Sequence, residues 1–155
     1  MAETFDQRLA ALGLALPAAP KPVAAYVPVV QTGNLVFISG QLPLKDGRLE
    51  QTGRVPSQVT VEQAKVSGTQ AALNLLAVLG SHLEGDWTRL KRIVRLGIFV
   101  QSDDGFHDQA IVGNSVSELM EKLFGNRGKH ARATVGVNAL PLDSPVEVEL
   151  VAEVG

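Results

Sequence analysis

The chain has 155 residues, of which 45% are hydrophobic, 19% charged and 5% aromatic. This length fits one compact domain over residues 1–155, which removes roughly 70% of its unfolded surface from water. Fourteen lysines and arginines against 16 aspartates and glutamates leave a formal charge of −2, so no overall basic field attracts nucleic acid or acidic membranes. The lack of cysteine excludes disulfides, thiolate metal sites and a cysteine nucleophile.

Neither a secretory signal nor a membrane span is predicted. The first residues have no basic start followed by an apolar run, and no window approaches the ~18 apolar residues that a transmembrane helix needs. We therefore expect a soluble cytoplasmic protein without a membrane partner.

The first 25 residues predict a short helix followed by an extended arm. Thr4 and Gln7 have the spacing of a capping box, and Gly13 is a suitable stop for a helix over residues 4–12. The proline-rich stretch 16–22 excludes helix and favours a surface arm.

The next segments predict two hairpins and a long helix. Two apolar, β-rich runs, 26–31 and 34–41, are joined by Thr32-Gly33, and Asp46-Gly47 predicts a second, smaller hairpin. Another capping box begins at Thr60 and opens a helix that we expect to end near Gly80. Its narrow face of small and apolar residues is suited to packing on a sheet, and consists of Ala64, Ala71, Ala72, Leu75, Leu76 and Leu79.

The second half of the chain predicts one strand, one helix and two further strands. The strand covers 90–101, the helix runs from a cap at Asp104 to Phe124, and the last strands cover 132–139 and 146–154. This order predicts an α+β fold whose helices cover one face of the sheet. Alternation puts polar residues on one side of the last two strands, among them Arg132, Thr134 and Glu147, and we expect that side to be free of helices.

No cofactor or metal site is predicted. The sequence has no glycine-rich phosphate-binding loop. Its three histidines, His82, His107 and His130, lie more than twenty residues apart and are expected on the surface, as are the helix serines Ser115 and Ser117. The basic run 89–95 has no aromatic platform beside it, which argues against nucleic acid as a partner.

Three segments carry possible chemistry. An apolar strand ends in Ser39-Gly40, where the glycine lets a ligand approach the backbone. Arg132 leads into an apolar strand and can pair bidentately with a carboxylate. Glu147 offers a carboxylate on the last strand. Each feature alone also fits a structural role: a turn, a salt-bridged arginine and a solvated glutamate.

Together these segments resemble the RidA/YjgF family. The resemblance rests on Tyr26-Val27-Pro28, Ile38-Ser39-Gly40-Gln41, Ala131-Arg132, Leu140-Pro141 and the run 146–149, and it extends from about residue 26 to residue 154. The family has a chorismate-mutase-like fold, a mixed β-sheet with two helices on one face, and forms homotrimers through the other face. Its ligand clefts lie between subunits.

The resemblance implies a function and residue roles. Well-known members hydrolyse reactive enamines and imines to 2-keto acids and ammonia. Arg132 would bind the substrate carboxylate and Glu147 would orient or activate water. The substrate-binding residues would be Tyr26, Ser39, Gly40, Asn114 and Thr134.

Several positions depart from the family pattern and indicate a divergent branch. His130 stands where many members have proline, and Thr134 where cysteine is common. The stretch from Phe106 to Asn114 is four residues longer, and the N-terminal arm exceeds the usual length.

The reversal of the chain at 141–144 predicts that Arg132 and Glu147 of one chain lie on the order of 20 Å apart along the strand direction. A small acid cannot contact both, so a shared site requires two subunits.

Three functions remain open at this point. The first is hydrolysis of enamines and imines. The second is a non-catalytic trimer that binds small carboxylates in the same pocket. The third, a ribonuclease or translation inhibitor, is disfavoured by the net acidity and the shortage of stacking aromatics.

Overall fold

A five-stranded sheet forms the centre of the molecule in the computed structural model, which describes residues 1–21 and 25–155. The sheet has the strand order β1-β2-β7-β5-β6. All neighbouring strands are antiparallel except β5 and β6, which run parallel. The strands are β1 (Val29–Thr32), β2 (Leu35–Gln41), β5 (Leu90–Gln101), β6 (Ala131–Val137) and β7 (Val146–Val154).

Two long helices cover one face of this sheet, which confirms the predicted α+β class. Helix α2 (Val61–His82) packs over β2 and β7, and α3 (Gln109–Phe124) packs over β5 and β6. The predicted alanine- and leucine-rich face of α2 is fully buried. The second hairpin is also present, as β3 (Leu44–Lys45) and β4 (Arg48–Leu49), with its turn at Asp46 and Gly47.

The N-terminal helix α1 (Phe5–Ala11) is attached to the end of α3. Its capping box between Thr4 and Gln7 is formed as predicted. Phe5 stacks on Trp87 and Phe124, with ring centroids 3.9 Å and 5.4 Å away. Of the predicted arm, residues 22–24 lie outside the described residues.

Two predicted boundaries were wrong in the first half of the chain. Strand β1 begins at Val29, three residues later than expected, so Tyr26 precedes the sheet. Helix α2 continues through Gly80 to His82. A Cβ at Gly80 would lie 2.9 Å from Cζ2 of Trp87, so this glycine permits a close contact inside the helix and does not end it.

Two boundaries in the second half also differ. Helix α3 begins at Gln109 and not near Asp104, because Gly105 has a φ of 76° and directs the chain through a turn. Strand β6 covers 131–137, one residue earlier at its start and two residues shorter at its end than predicted.

The side chains of β6 point the opposite way from the prediction that placed Arg132 and Thr134 on the helix-free face. Arg132 and Thr134 point toward α3, while Ala133 and Val135 lie on the helix-free face, where Val135 is 45% exposed. Small residues on α3 allow this, since Gly113 lies directly against Thr134. The prediction was right for Glu147, which pairs with Phe99 on the helix-free face. Among the described residues, no helix has the length and apolar character needed to cross a membrane.

Substituting Phe5→Ala tests how firmly α1 is attached. We expect a loss of about 3 kcal/mol in the free energy of unfolding, because the ring is 7% exposed and stacks on two aromatics. Urea unfolding measures this, and Leu12→Ala, at a site 38% exposed, is the matched control with a much smaller loss. An equal loss in both variants would contradict the packing role of Phe5.

Candidate functional site

Arg132 lies in a polar cluster between the edge strand β6 and helix α3. Its NH1 group donates to Oδ1 of Asn114 at 2.9 Å and to Oγ of Ser117 at 3.1 Å. Ser117 Oγ lies 2.9 Å from Nε2 of His130, whose Nδ1 lies 2.6 Å from the Gly128 carbonyl. We call these four side chains, Asn114, Ser117, His130 and Arg132, the Arg132 cluster.

The charge of Arg132 is not neutralised by a carboxylate. Within residues 1–21 and 25–155, no aspartate or glutamate oxygen lies within 4.0 Å of its guanidinium. Glu118 and Glu121 line the same surface groove, but Glu121 pairs with Lys129 at 3.7 Å. An arginine held only by neutral acceptors retains its capacity to bind an anion.

Thr134 is the inner neighbour of this cluster on β6. Its Oγ1 is buried, and it finds no hydrogen-bond partner in the described part of the chain. A Cβ at Gly113 would lie 2.8 Å from that oxygen, so α3 closes over it. Thr134, which is predicted to bind substrate, therefore lies beneath the Arg132 cluster, and its hydroxyl is shielded by the helix.

Glu147 forms a second group with Gly40 and Ser39, which we call the Glu147 cluster. A β-bulge between Ile38 and Gln41 interrupts the pairing of β2 with β7 at this point. A Cβ at Gly40 would overlap Oε1 of Glu147, so the glycine makes room for the carboxylate. Ser39 Oγ donates to the Val27 carbonyl at 2.8 Å, and its amide donates to the Pro28 carbonyl at 2.9 Å.

Burial raises the pKa of Glu147, and the negative charge of nearby Glu149 raises the pKa further. Glu149 lies over Gly97 and forms an ion pair with Arg95 at 3.6 Å. A half-buried carboxylate with a raised pKa is a stronger base than an ordinary glutamate, which suits it to accept a proton from water.

Tyr26 is 57% exposed and lies just before the segment that Ser39 binds. It precedes Val27, whose carbonyl accepts from Ser39, and this places the tyrosine backbone near the Glu147 cluster.

The two clusters are separate within one chain. Arg132 is opposite Leu96 and Glu147 is opposite Phe99, so they lie three residues apart along β5 and one strand to either side of it. This corresponds to about 10 Å along the strands and roughly 14 Å between their Cα atoms. The expected 20 Å was therefore too long, because β6 begins opposite Arg95, in the middle of β5, and not at the far end of the sheet. Their side chains also point to opposite faces, so one chain cannot close both around a small acid.

Sequence reasoning missed Ser117 and His130. Both were expected on the surface, yet each is half-buried and bonded within the Arg132 cluster. Their spacing is consistent with a shared site but does not identify one: Ser117 follows Asn114 by one helical turn, and His130 lies two residues before Arg132. No group of three or more metal-ligating side chains occurs among residues 1–21 and 25–155.

Comparison with known proteins decides the family. The family model described as "Endoribonuclease L-PSP" matches residues 16–154. The chain belongs to this family. This confirms the predicted RidA/YjgF family, since the curated relatives include several proteins of the RutC family.

Two curated relatives of this L-PSP protein are informative. The chain is 38% identical to Protein TCP17 of Trypanosoma cruzi over 143 residues, which is 92% of this chain and 89% of that one. It is 29% identical to a 2-iminobutanoate/2-iminopropanoate deaminase of Dermatophagoides farinae, covering 88% of this chain and 91% of that one.

Two solved structures match the L-PSP fold closely. A protein of unknown function from Agrobacterium tumefaciens has a TM-score of 0.92 at 38% identity, covering 97% of this chain and 92% of that one. A candidate endoribonuclease from Shewanella oneidensis has a TM-score of 0.93 at 30% identity, covering 98% of this chain and all of that one. Both cover more than the family model, which begins at residue 16, so the likeness extends into the N-terminal segment.

Substituting Thr134→Val tests the unpartnered hydroxyl. We expect the free energy of unfolding to rise by about 1 kcal/mol, because valine has the same shape and removes a buried polar group without a partner. Thr69→Val is the control in urea unfolding. Its half-buried hydroxyl donates to the Lys65 carbonyl at 3.2 Å, so this change should give no gain. A destabilised Thr134→Val protein would mean that the hydroxyl has a partner.

Proposed function

We propose that the protein hydrolyses reactive enamines and imines that carry a carboxylate, releasing a 2-keto acid and ammonia. The proposal depends most on one observation: the Arg132 guanidinium is held by the neutral acceptors Asn114 and Ser117, with no acid beside it in the described residues. A guanidinium in this condition binds a planar carboxylate through two parallel hydrogen bonds.

The Glu147 cluster supplies the base for the reaction. The electrophilic carbon of an imine is already activated, so a positioned water and a proton acceptor account for most of the required catalysis. Glu147 takes a proton as water oxygen bonds to the C=N carbon. The proton then passes to nitrogen, which gives a carbinolamine. Glu147 next takes the proton of the new hydroxyl group and passes it to the same nitrogen, so that the C–N bond breaks, ammonia leaves and the carbonyl of the 2-keto acid forms.

The two clusters would meet at a cleft between protomers of a homotrimer. In one protomer they face opposite sides of the sheet, so the guanidinium of one copy and the glutamate of its neighbour must complete the site. The helix-free face supports association, because Val30, Phe37 and Val135 are 52%, 44% and 45% exposed on it. Such a patch on a small domain is typical of a protein interface.

The names of the relatives favour two different activities. The deaminase of Dermatophagoides farinae supports imine hydrolysis, whereas the family description and the candidate endoribonuclease point to RNA. A net charge of −2 gives little general attraction for a polyanion. Imine hydrolysis is therefore the function to test first, with carboxylate binding without turnover as the alternative.

Substituting Arg132→Ala should abolish hydrolysis of freshly generated 2-iminopropanoate, because the carboxylate loses its partner. Ammonia release measures turnover, and light scattering should give a trimer mass for both proteins. Arg48→Ala, at an exposed hairpin arginine, is the control and should retain activity.

Each alternative has its own result in the same experiment. Carboxylate binding by the unmodified protein without ammonia release would favour the non-catalytic module. RNA cleavage that disappears in the Arg132→Ala protein would favour the ribonuclease. Unchanged imine turnover in that variant would contradict the role of Arg132.

The pH dependence of kcat/KM tests Glu147 as the base. Activity needs the ionised carboxylate, so it should fall as pH drops through the raised pKa of Glu147. Substituting Glu149→Gln removes a negative neighbour and lowers the pKa of Glu147, so the acid limb should move to lower pH. Glu153→Gln, with the same change in net charge further along β7, should leave the limb in place. A shift to higher pH in the Glu149 variant would contradict the assignment.

A further inference from the structure

We infer that Ser117 and His130 are positioning residues that orient Arg132 so that one defined edge of its guanidinium receives the ligand carboxylate. This inference rests on the proposed function and adds the way in which the arginine engages its substrate. Neither residue touches the reacting atoms, and both act through Arg132.

In the neutral form of His130, the neighbouring groups determine which ring nitrogen carries the proton. Its Nδ1 lies 2.6 Å from the Gly128 carbonyl oxygen, which can only accept, so Nδ1 carries the ring proton. Nε2 then has a free lone pair and can only accept. Ser117 therefore donates its hydroxyl proton to Nε2 across 2.9 Å.

The direction of the hydrogen bond from Ser117 to His130 makes the Ser117 oxygen an acceptor for Arg132. With its proton committed to His130, the Ser117 oxygen presents a lone pair to NH1 of Arg132 at 3.1 Å. Asn114 Oδ1 accepts the other NH1 hydrogen at 2.9 Å. Both hydrogens of NH1 are thus occupied by neutral acceptors from successive turns of α3.

The remaining donors of the guanidinium lie along one edge. Within residues 1–21 and 25–155, Nε and NH2 of Arg132 have no hydrogen-bond acceptor. Their parallel N–H groups match the two oxygens of a carboxylate. A carboxylate cannot bind with both oxygens to NH1 and NH2, because both NH1 hydrogens are already donated to Asn114 and Ser117. The ligand carboxylate must approach from the Nε side.

The backbone supports this arrangement with little freedom. Asn114 and Ser117 are three residues apart on a 16-residue helix, so both face β6. His130 lies immediately before β6, two positions from Arg132, and is anchored to the backbone of Gly128. The guanidinium is therefore oriented before the ligand arrives, which lowers the entropic cost of binding.

Binding of 2-oxobutanoate, which has the proposed product's carboxylate but does not react, tests the inference by calorimetry on the intact protein. Ser117→Ala should raise Kd about fivefold to tenfold, as expected when one oriented hydrogen bond is lost. His130→Ala should raise Kd in the same direction. Ser117→Thr keeps the hydroxyl and should restore wild-type affinity. The matched control is Ser115→Ala on the same helix, because that hydroxyl donates to the Val112 carbonyl of its own turn and its loss should not change Kd.

Turnover and spectroscopy give readouts that a purely structural role would not move. In imine hydrolysis, the Ser117→Ala and His130→Ala variants should raise KM with little change in kcat, since the base is in the other cluster. Nitrogen NMR of the free protein should show that the neutral form of His130 carries its proton on Nδ1.

The outcomes separate the two proposals. If the unmodified protein binds no 2-oxobutanoate and releases no ammonia, the proposed function fails and this inference falls with it. If the unmodified protein binds and Ser117→Ala and His130→Ala bind equally well, only the inference is overturned. A proton on Nε2 of His130 would also overturn it.

Discussion

The parallel pairing of β6 with β5 at the edge of the sheet is the constraint on which the candidate site depends. It places Arg132 opposite Leu96, on the side that α3 covers, and in the part of the chain that the structure describes no further strand pairs beyond β6. In the middle of a sheet, an arginine facing the helices would be buried at a high cost in desolvation. At the edge it reaches the helix surface, where Asn114 and Ser117 satisfy two of its hydrogens and solvent or a ligand meets the rest.

The sheet accounts for the division of the site into two parts. Strand β7 lies on one side of β5 and β6 on the other, and alternation along each strand sends Glu147 and Arg132 to opposite faces. A bulge at Ser39-Gly40 and the absence of a side chain at Gly40 provide space for the glutamate. The same backbone therefore keeps the Arg132 cluster and the Glu147 cluster apart within one chain, and the proposed active site needs a second copy to bring them together.

Periodicity and caps were sufficient to predict most of the elements. The capping boxes at Thr4 and Thr60, and the long runs that form β5 and β7, have their physical cause within a few residues. The predicted ends of elements were wrong where a contact distant in sequence determines them. At Gly80, for example, the missing side chain makes room for the Trp87 ring inside the helix. The predicted orientation of the β6 side chains was wrong for the same kind of reason, since Thr134 fits against α3 where Gly113 lacks a side chain, and Arg132 finds acceptors on that helix.

The candidate site was predictable to a similar extent. Arg132 and Glu147 follow from the family signature, and so does Asn114, which is predicted to bind substrate and contacts Arg132 in the structure. Ser117 and His130 could not be found by composition or spacing alone, because their importance depends on the direction of hydrogen bonds among α3, Gly128 and β6. Such directions appear only once the backbone is assembled.

The attachment of α1 gives the N-terminal segment mechanical influence over α3. Arg8 donates to the Leu123 carbonyl at 3.2 Å, at the C-terminal end of α3, while Phe5 stacks on Phe124. The second and third turns of that helix carry Asn114 and Ser117. Anchoring the C-terminal end of α3 limits how far this helix can tilt or slide. The N-terminal segment, although far from the guanidinium, therefore helps to hold Asn114 and Ser117 in position beside Arg132.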